Sequence, residues 1–280
     1  MFCLTNVFWF IPYFCPMKKF GLLLCSVAAL FFTNCNNGGD ENGTDTPVKT
    51  TPILSYSVVS VHSHDTSYFT EGLEFYNGYL LESTGNYGPS KLVKIDPATN
   101  KIVQQVELDE KYFGEGITVL HDTLYQLTYK EHTVLIYTAK DFKKIKELHL
   151  NPEGWGLTND GKQLYMTDGS EKIYILDTET MKEVDYLNVY TKGTKIKAVN
   201  ELEWVNGKIY GNIYQKDAIA VIDPKTGAVE GVLDLSALEG RITRHQDVDV
   251  LNGIAYNPKT KTFFVTGKNW DKMFEIRIHE

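Results

Sequence analysis

The chain has 280 residues, 42% hydrophobic and 23% charged, the balance of an ordinary soluble globular protein. Its formal net charge of -8, with no basic run, argues against nucleic acid as a partner. Aromatics at 12%, with 17 tyrosines, suit an all-β fold, because aromatic rings favour a pleated, half-buried surface.

Residues 1–35 read as a leader. Met17-Lys18-Lys19 supplies a positive n-region, and Phe20 to Phe32 an apolar h-region of about a dozen residues, short of the roughly 20 a membrane span needs. Met17 is the expected start. The segment ends Phe31-Phe32-Thr33-Asn34-Cys35 and turns polar at once, through Asn36-Asn37-Gly38-Gly39. This resembles a bacterial lipoprotein signal with Cys35 the acylated first residue, which would place the protein in the bacterial cell envelope as a periplasmic or surface lipoprotein. Asn34 and Phe32 depart from the usual small residues before the cysteine, and a plain secretory peptide is the alternative. All four cysteines, Cys3, Cys15, Cys25 and Cys35, lie in this leader, so the body has no disulfide framework and no cysteine metal site. Residues 36–51, rich in Gly, Asn, Asp and Thr, read as a flexible tether.

From Ile53 onward short alternating strands are divided by turn signals, with no helical period sustained beyond a turn or two. Ile53 to Val61 is a strand standing ahead of the rest. A glycine phrase then recurs: Phe69-Thr70-Glu71-Gly72-Leu73, Tyr112-Phe113-Gly114-Glu115-Gly116-Ile117-Thr118, Glu153-Gly154-Trp155-Gly156-Leu157-Thr158, Val199-Asn200-Glu201-Leu202 and Leu251-Asn252-Gly253-Ile254-Ala255. Aligned on Gly72, Gly116, Gly156, Glu201 and Gly253, the steps are 44, 40, 45 and 52 residues, the mark of a repeat architecture. Each phrase leads to a strand behind a tight turn, at 78–85, 122–128, 161–168, 207–214 and 261–268. Hairpins follow at 92–108, 134–150, 173–189 and 219–235, and the fifth repeat stops after 273–278. Four short strands per repeat of this size is the blade unit of a β-propeller. The strand 53–61 can supply the missing outer strand of the last blade, closing the ring and removing an exposed edge. The expectation is one all-β domain, residues 52–280: a five-bladed β-propeller whose ring is closed by an N-terminal strand completing the last blade.

In such a ring the innermost strands crowd the central axis, which accounts for the glycines but not for acids. The residue before each aligned position is Glu71, Glu115, Trp155, Asn200 and Asn252. These five are expected to point towards one mouth. Channel groups that merely satisfy water and neighbouring backbone are the other reading of the same residues. Glu115, between two glycines where a carboxylate gains nothing from packing, is the foremost candidate for chemistry.

Six phrases occur in one order: Phe69-Thr70-Glu71-Gly72-Leu73, Glu82-Ser83-Thr84-Gly85-Asn86-Tyr87-Gly88-Pro89-Ser90, Phe113-Gly114-Glu115-Gly116, Glu153-Gly154-Trp155-Gly156-Leu157, Asn200-Glu201-Leu202-Glu203-Trp204 and Val265-Thr266-Gly267-Lys268-Asn269-Trp270. Together they resemble the glutaminyl-peptide cyclotransferases of the plant-latex type and their bacterial relatives, over roughly Tyr68 to Glu275. The resemblance implies a five-bladed propeller and an acyltransferase of the aminoacyl kind. It would convert N-terminal glutamine of peptides or proteins to pyroglutamate and release ammonia. A monomer is expected, touching a membrane only through the lipidated N-terminus. The substrate's own amine attacks its γ-amide, so no enzymic nucleophile is needed. One group must take a proton from the amine and return it to the departing nitrogen, and a carboxylate in a partly apolar pocket can do both.

The resemblance puts Glu115 in that catalytic role. It implies Asn200 and Lys268 as donors to the oxyanion and substrate carbonyl, and Glu71 as the group holding the substrate α-amine. Phe69, Phe113, Tyr129, Trp155 and Tyr214 match the aromatic cage. This sequence departs from the plant pattern at Glu71, where plant members have glutamine, and at Tyr129 and Tyr214, where they have tryptophan; the two tyrosines bear on rate and substrate preference. His62 and His64 alternate on one strand face, a spacing that can chelate a metal but more often marks a solvated edge. No zinc-protease, phosphate-loop, nucleophile-elbow or dinucleotide motif is present. Catalysis is therefore expected without metal or cofactor. A structural calcium is open to propellers of this type, although no Asp-x-Asp loop here specifies one. A propeller that binds peptides or envelope partners without catalysis is the alternative; it has no need of Glu115, Asn200 and Lys268 together.

Overall fold

The structure, a computed structural model, describes residues 50–279. The leader 1–35, with Cys35, and residues 36–49 of the tether lie outside the described residues. Thr51, read as the last tether residue, has its hydroxyl 2.6 Å from that of Thr191, and the next carbonyl, of Pro52, accepts from Val232 N at 3.0 Å.

Alternation and turn chemistry produce the strands where they were expected. β1 (Ile53–Ser63) comes first. β2 (Thr70–Tyr76), β3 (Tyr79–Thr84), β4 (Lys91–Asp96) and β5 (Lys101–Glu107) form a four-stranded meander in chain order. β6 (Gly114–Leu120), β7 (Thr123–Thr128), β8 (Thr133–Thr138) and β9 (Lys144–His149) form a second. β10 (Leu157–Asn159), β11 (Leu164–Thr167), β12 (Lys172–Leu176) and β13 (Glu183–Asn188) form a third. A small ribbon follows, β14 (Tyr190–Thr191) with β15 (Thr194–Lys195), for which the sequence carries no strong signal. β16 (Val199–Val205), β17 (Lys208–Ile213), β18 (Ala218–Ile222) and β19 (Val229–Asp234) precede a single helical turn, α1 (Ser236–Glu239). β20 (Leu251–Asn257), β21 (Thr262–Gly267) and β22 (Lys272–His279) finish the chain.

The last seven strands and β1 form one eight-stranded sheet, ordered β16-β17-β18-β19-β1-β22-β21-β20. Two four-stranded units were expected here, and β1 is what joins them. It pairs antiparallel with β22 from Ser55↔His279 to Ser63↔Lys272. Its first two residues overhang the end of β22 and pair in parallel with β19, Ile53 with Val232 and Leu54 with Leu233.

The first strand of each meander packs on the next around a circle: β2 on β6, β6 on β10, β10 on β16, β16 on β20, and β20 on β2. Apolar clusters fill the seams. Leu81 and Leu92 meet Ile117 and Leu135 in one, and Leu127 and Ile136 meet Leu164 and Met166 in the next. Ile173 and Leu187 meet Leu202 and Ile222 in a third.

Four of the five glycine phrases prove to be bulges. Register slips between Thr70 and Gly72, Gly114 and Ile117, Val199 and Leu202, and Leu251 and Ile254. A bulge puts an extra residue on one strand and re-aims side chains at a sheet end, which frees Glu71, Glu115 and Asn200 from strict in-and-out alternation. Neighbouring phrases also touch through backbone: Gly116 N donates to Trp155 O at 2.7 Å. A Cβ on Gly156 would lie 2.0 Å from Asn200 O, so only glycine fits there. The fourth repeat has Glu201 in place of the aligned glycine. Its carboxylate accepts from Leu73 N (3.1 Å) and Ile254 N (2.9 Å), binding repeats one and five to the fourth.

The seam between β1 and the first meander is closed by a buried pair. His64 Nε2 lies 2.9 Å from Glu82 Oε1, and Nδ1 lies 2.8 Å from Trp270 O. Both partners are acceptors, so the ring is held as imidazolium. Burial alone would lower its proton affinity, but Glu82 and the Trp270 carbonyl outweigh this and raise it above 6.5. A raised pKa contributes stability that is full below pH 6.5 and is lost as pH rises through the folded value. The stability gap between the wild type and Glu82→Gln is therefore expected to narrow from pH 6 to pH 9 in thermal unfolding. A gap that does not change over that range would show that the pair is not charged.

Candidate active site

One end of the circle holds a cavity of about 270 Å³ lined by Phe69, Glu71, Phe113, Glu115, Tyr129, Trp155, Asn200, Tyr214 and Lys268. All nine cavity residues singled out in the sequence meet there. They come from two kinds of place in the repeats. Phe69, Phe113 and Trp155 stand just before first strands, and Glu71, Glu115 and Asn200 lie within the bulges. Tyr129, Tyr214 and Lys268 directly follow second strands, tied back by backbone hydrogen bonds of Tyr129 N to Phe113 O (3.0 Å), Tyr214 N to Ala198 O (2.8 Å) and Lys268 N to Val250 O (2.9 Å).

The aromatic side chains form a wall of rings set at steep angles to one another. Phe69 meets Phe113 edge-on at 6.1 Å, Phe113 meets Tyr129 at 5.7 Å, and Trp155 meets Tyr214 at 5.8 Å. Lys268 Nζ sits 4.5 Å from the Phe69 ring centre and 5.6 Å from that of Tyr214. Such faces attract an ammonium.

Charge is concentrated at the base. Lys268 Nζ donates to Glu71 Oε1 at 2.6 Å, with both side chains buried. Asn252 Nδ2 donates to the other Glu71 oxygen at 3.3 Å and to Thr70 O at 2.9 Å. Glu71 and Glu115 share a side-chain hydrogen bond. Burial pushes the Glu115 carboxyl well above the usual range, and the charges of Glu71 and Glu153 add to this against the pull of Lys268. Glu71 is raised less, to about 7, because the ammonium touching it offsets much of the burial. Burial also works against the Lys268 ammonium, but Glu71 and Glu115 outweigh it and keep the lysine charged. Of the two acids Glu115 is therefore held more strongly in its protonated form and Glu71 is held closer to the Lys268 ammonium, with the two titrating as a unit.

Two sequence expectations change in the structure. Asn252, expected at the mouth with the other four aligned residues, does not line the cavity; it stands behind Glu71 and holds it. Lys268 and Glu71, given separate roles towards substrate, are ion-paired with each other. Asn252 was visible as an aligned position, but nothing in its sequence distinguishes lining a cavity from buttressing a neighbour. Further along the first strands Glu201 and Glu203 are buried and Glu74 is half-buried, each raised by desolvation, Glu74 to about 7. They accept backbone N–H groups of Val119, of Leu73 and Ile254, and of Tyr256, and so tie the first strands of different repeats together.

His62 and His64 do not form a metal site. His64 is committed to Glu82 and Trp270, while His62 Nε2 meets Ser60 at 2.8 Å. Among the described residues no group of three or more His, Cys, Asp or Glu side chains is placed to hold a metal ion.

The sequence profile described as glutamine cyclotransferase matches residues 27–278. A glutaminyl-peptide cyclotransferase of Arabidopsis thaliana is 36% identical over 276 residues, which is 95% of this chain and 86% of that protein. The crystal structure of Myxococcus xanthus glutaminyl cyclase superposes with a TM-score of 0.76 at 31% identity, covering 81% of this chain and 98% of the other.

Proposed function

Since this chain belongs to the glutamine cyclotransferase family, we propose that it closes N-terminal glutamine of peptides and proteins to pyroglutamate, with Glu115 carrying the proton and no metal taking part. The observation that carries this reading is the meeting of Glu115, Asn200 and Lys268 inside one aromatic-walled cavity. The circle of first strands, β2, β6, β10, β16 and β20, supports a five-bladed propeller in which β1 is the outer strand of the last blade.

In this mechanism the glutaminyl side chain packs between the rings, and its γ-carbonyl oxygen receives hydrogen bonds from Asn200 and Lys268. The substrate amine attacks the γ-carbon and a new C–N bond forms. Glu115, as carboxylate, takes one proton from that amine and passes it to the γ-nitrogen. The old C–N bond then breaks, and ammonia leaves with the proton it received, so Glu115 ends as it began. Asn200 Oδ1 is buried without a donor, an open acceptor that an N–H of the substrate can fill, while the donor to the γ-carbonyl in this mechanism is its Nδ2. Because the carboxylate form of Glu115 is needed and its proton affinity is raised, kcat is expected to rise with pH through a limb above the ordinary carboxylate range.

The test is ammonia release from a short peptide with N-terminal glutamine, with and without chelator. Release that chelator leaves unchanged is the expected result. Folded protein that binds such peptides and releases nothing would move the assignment to a peptide-binding propeller.

A further inference from the structure

Resting on the reading of this cavity as a glutaminyl site, we infer that Glu153 is its positioning residue: the Glu153 carboxylate orients the Trp155 indole against which the substrate side chain packs. Trp155 Nε1 donates to Glu153 Oε1 at 3.3 Å. Two further contacts hold the ring, and neither engages its N–H. One face lies on Gly169, where a Cβ would come within 2.4 Å of the ring. Tyr214 meets the ring at 5.8 Å and 71°. These contacts limit how far the indole can tilt, and the hydrogen bond selects one orientation within that range.

The backbone makes this pairing local. Glu153 and Trp155 flank Gly154, which is buried against Leu127 and Leu150, so both side chains leave one anchored segment. Trp155 is half-buried, and without Glu153 its N–H would turn to water. A charged acceptor holds an N–H more firmly than water or a neutral group does. Glu153 does not line the cavity, and its effect on the substrate passes through the indole. Its charge also reaches Glu115, which is faced by Glu71 and Lys268 as well.

The experiment compares Glu153→Gln and Glu153→Ala in the wild-type chain and in Trp155→Phe, which lacks the N–H. Glu153→Ala should raise KM for a glutaminyl peptide roughly tenfold with a smaller change in kcat, the size expected for one hydrogen bond to a charged group. Glu153→Gln keeps an acceptor oxygen and should hold KM within about twofold, while the low-pH limb of kcat moves to lower pH because a negative charge beside Glu115 is gone. In Trp155→Phe, Glu153→Ala should change KM by less than about twofold, since residues that act through one contact are not additive. An equal rise in KM in both backgrounds would overturn the inference.

A second readout needs no turnover. The emission of Trp155, taken as the difference between chains with and without Trp155→Phe, should shift in Glu153→Ala and stay in place in Glu153→Gln. An unchanged emission in Glu153→Ala would refute the orienting role. A wild-type chain that releases no ammonia counts against the cyclotransferase reading instead, and the emission still decides what Glu153 does.

Discussion

Glu115→Gln should release ammonia from glutaminyl peptides about 10²–10⁴ times more slowly than the wild type, the range that a positioned acid–base group contributes. Its fold should be intact. The wild-type side chain is a buried carboxylic acid, hydrogen-bonded to Glu71, and a carboxamide has nearly the same shape and can still donate to that carboxylate. The midpoint of thermal unfolding should therefore match the wild type or exceed it, more so at high pH, where deprotonating buried Glu115 costs stability. Steady-state release and a melting curve on the same preparation check both halves. Near-normal turnover in a folded variant would remove Glu115 from the mechanism. Loss of turnover together with loss of fold would make it a structural acid.

Lys268→Met should produce the largest loss of stability. It removes the cation from a buried ion pair, and breaking such a pair on one side costs about 3–5 kcal/mol because a charge is left uncompensated. Glu71 can escape by protonating, since burial has already raised it to about 7. Without Lys268 its folded pKa rises further, so folded Glu71 keeps a proton that the unfolded chain gives up near 4.5. Stability then falls as pH rises between those two values. The variant is expected to lie close to the wild type at pH 5 and well below it at pH 8. Adding Glu71→Gln should restore most of the difference at pH 8, while ammonia release stays low because the donor to the γ-carbonyl is still missing. Urea unfolding of the single and double variants at the two pH values decides this. Equal destabilisation at both, or a double variant no better than the single, would show that Glu71 is not what the ammonium compensates.

Much of this was legible in the chain itself, for a definite physical reason. Alternation of apolar and polar residues is a local property of strands, and tight turns have local residue requirements, so β2 to β13 and β16 to β22 fall within a few residues of where the repeats put them. The glycine phrases were legible too, because close backbone approach excludes a Cβ whatever lies opposite. Glu115 stood out for the complementary reason: a carboxylate between glycines has no packing role to explain it.

What the chain could not display were relations between repeats. Nothing in the phrase containing Asn252 distinguishes a cavity wall from a prop behind Glu71, because the two differ only in what the neighbouring repeat presents. The 2.6 Å contact between Lys268 and Glu71 joins residues 197 positions apart, and it makes one charged unit of two groups that seemed to have separate tasks. Glu201 looked like a repeat that had lost its glycine, yet its carboxylate takes backbone N–H groups from two other repeats. The overhang of β1 onto β19 depends on the relative lengths of β1 and β22 once they are paired. The sequence by itself determined the strands and the repeat, since these rest on local geometry and residue type, whereas most of the cavity residues were legible only through the resemblance to a family. Only the tertiary structure decided which acid is pushed further towards its protonated form and which is drawn to an ammonium, because burial and charge neighbours exist only once the repeats have packed on one another.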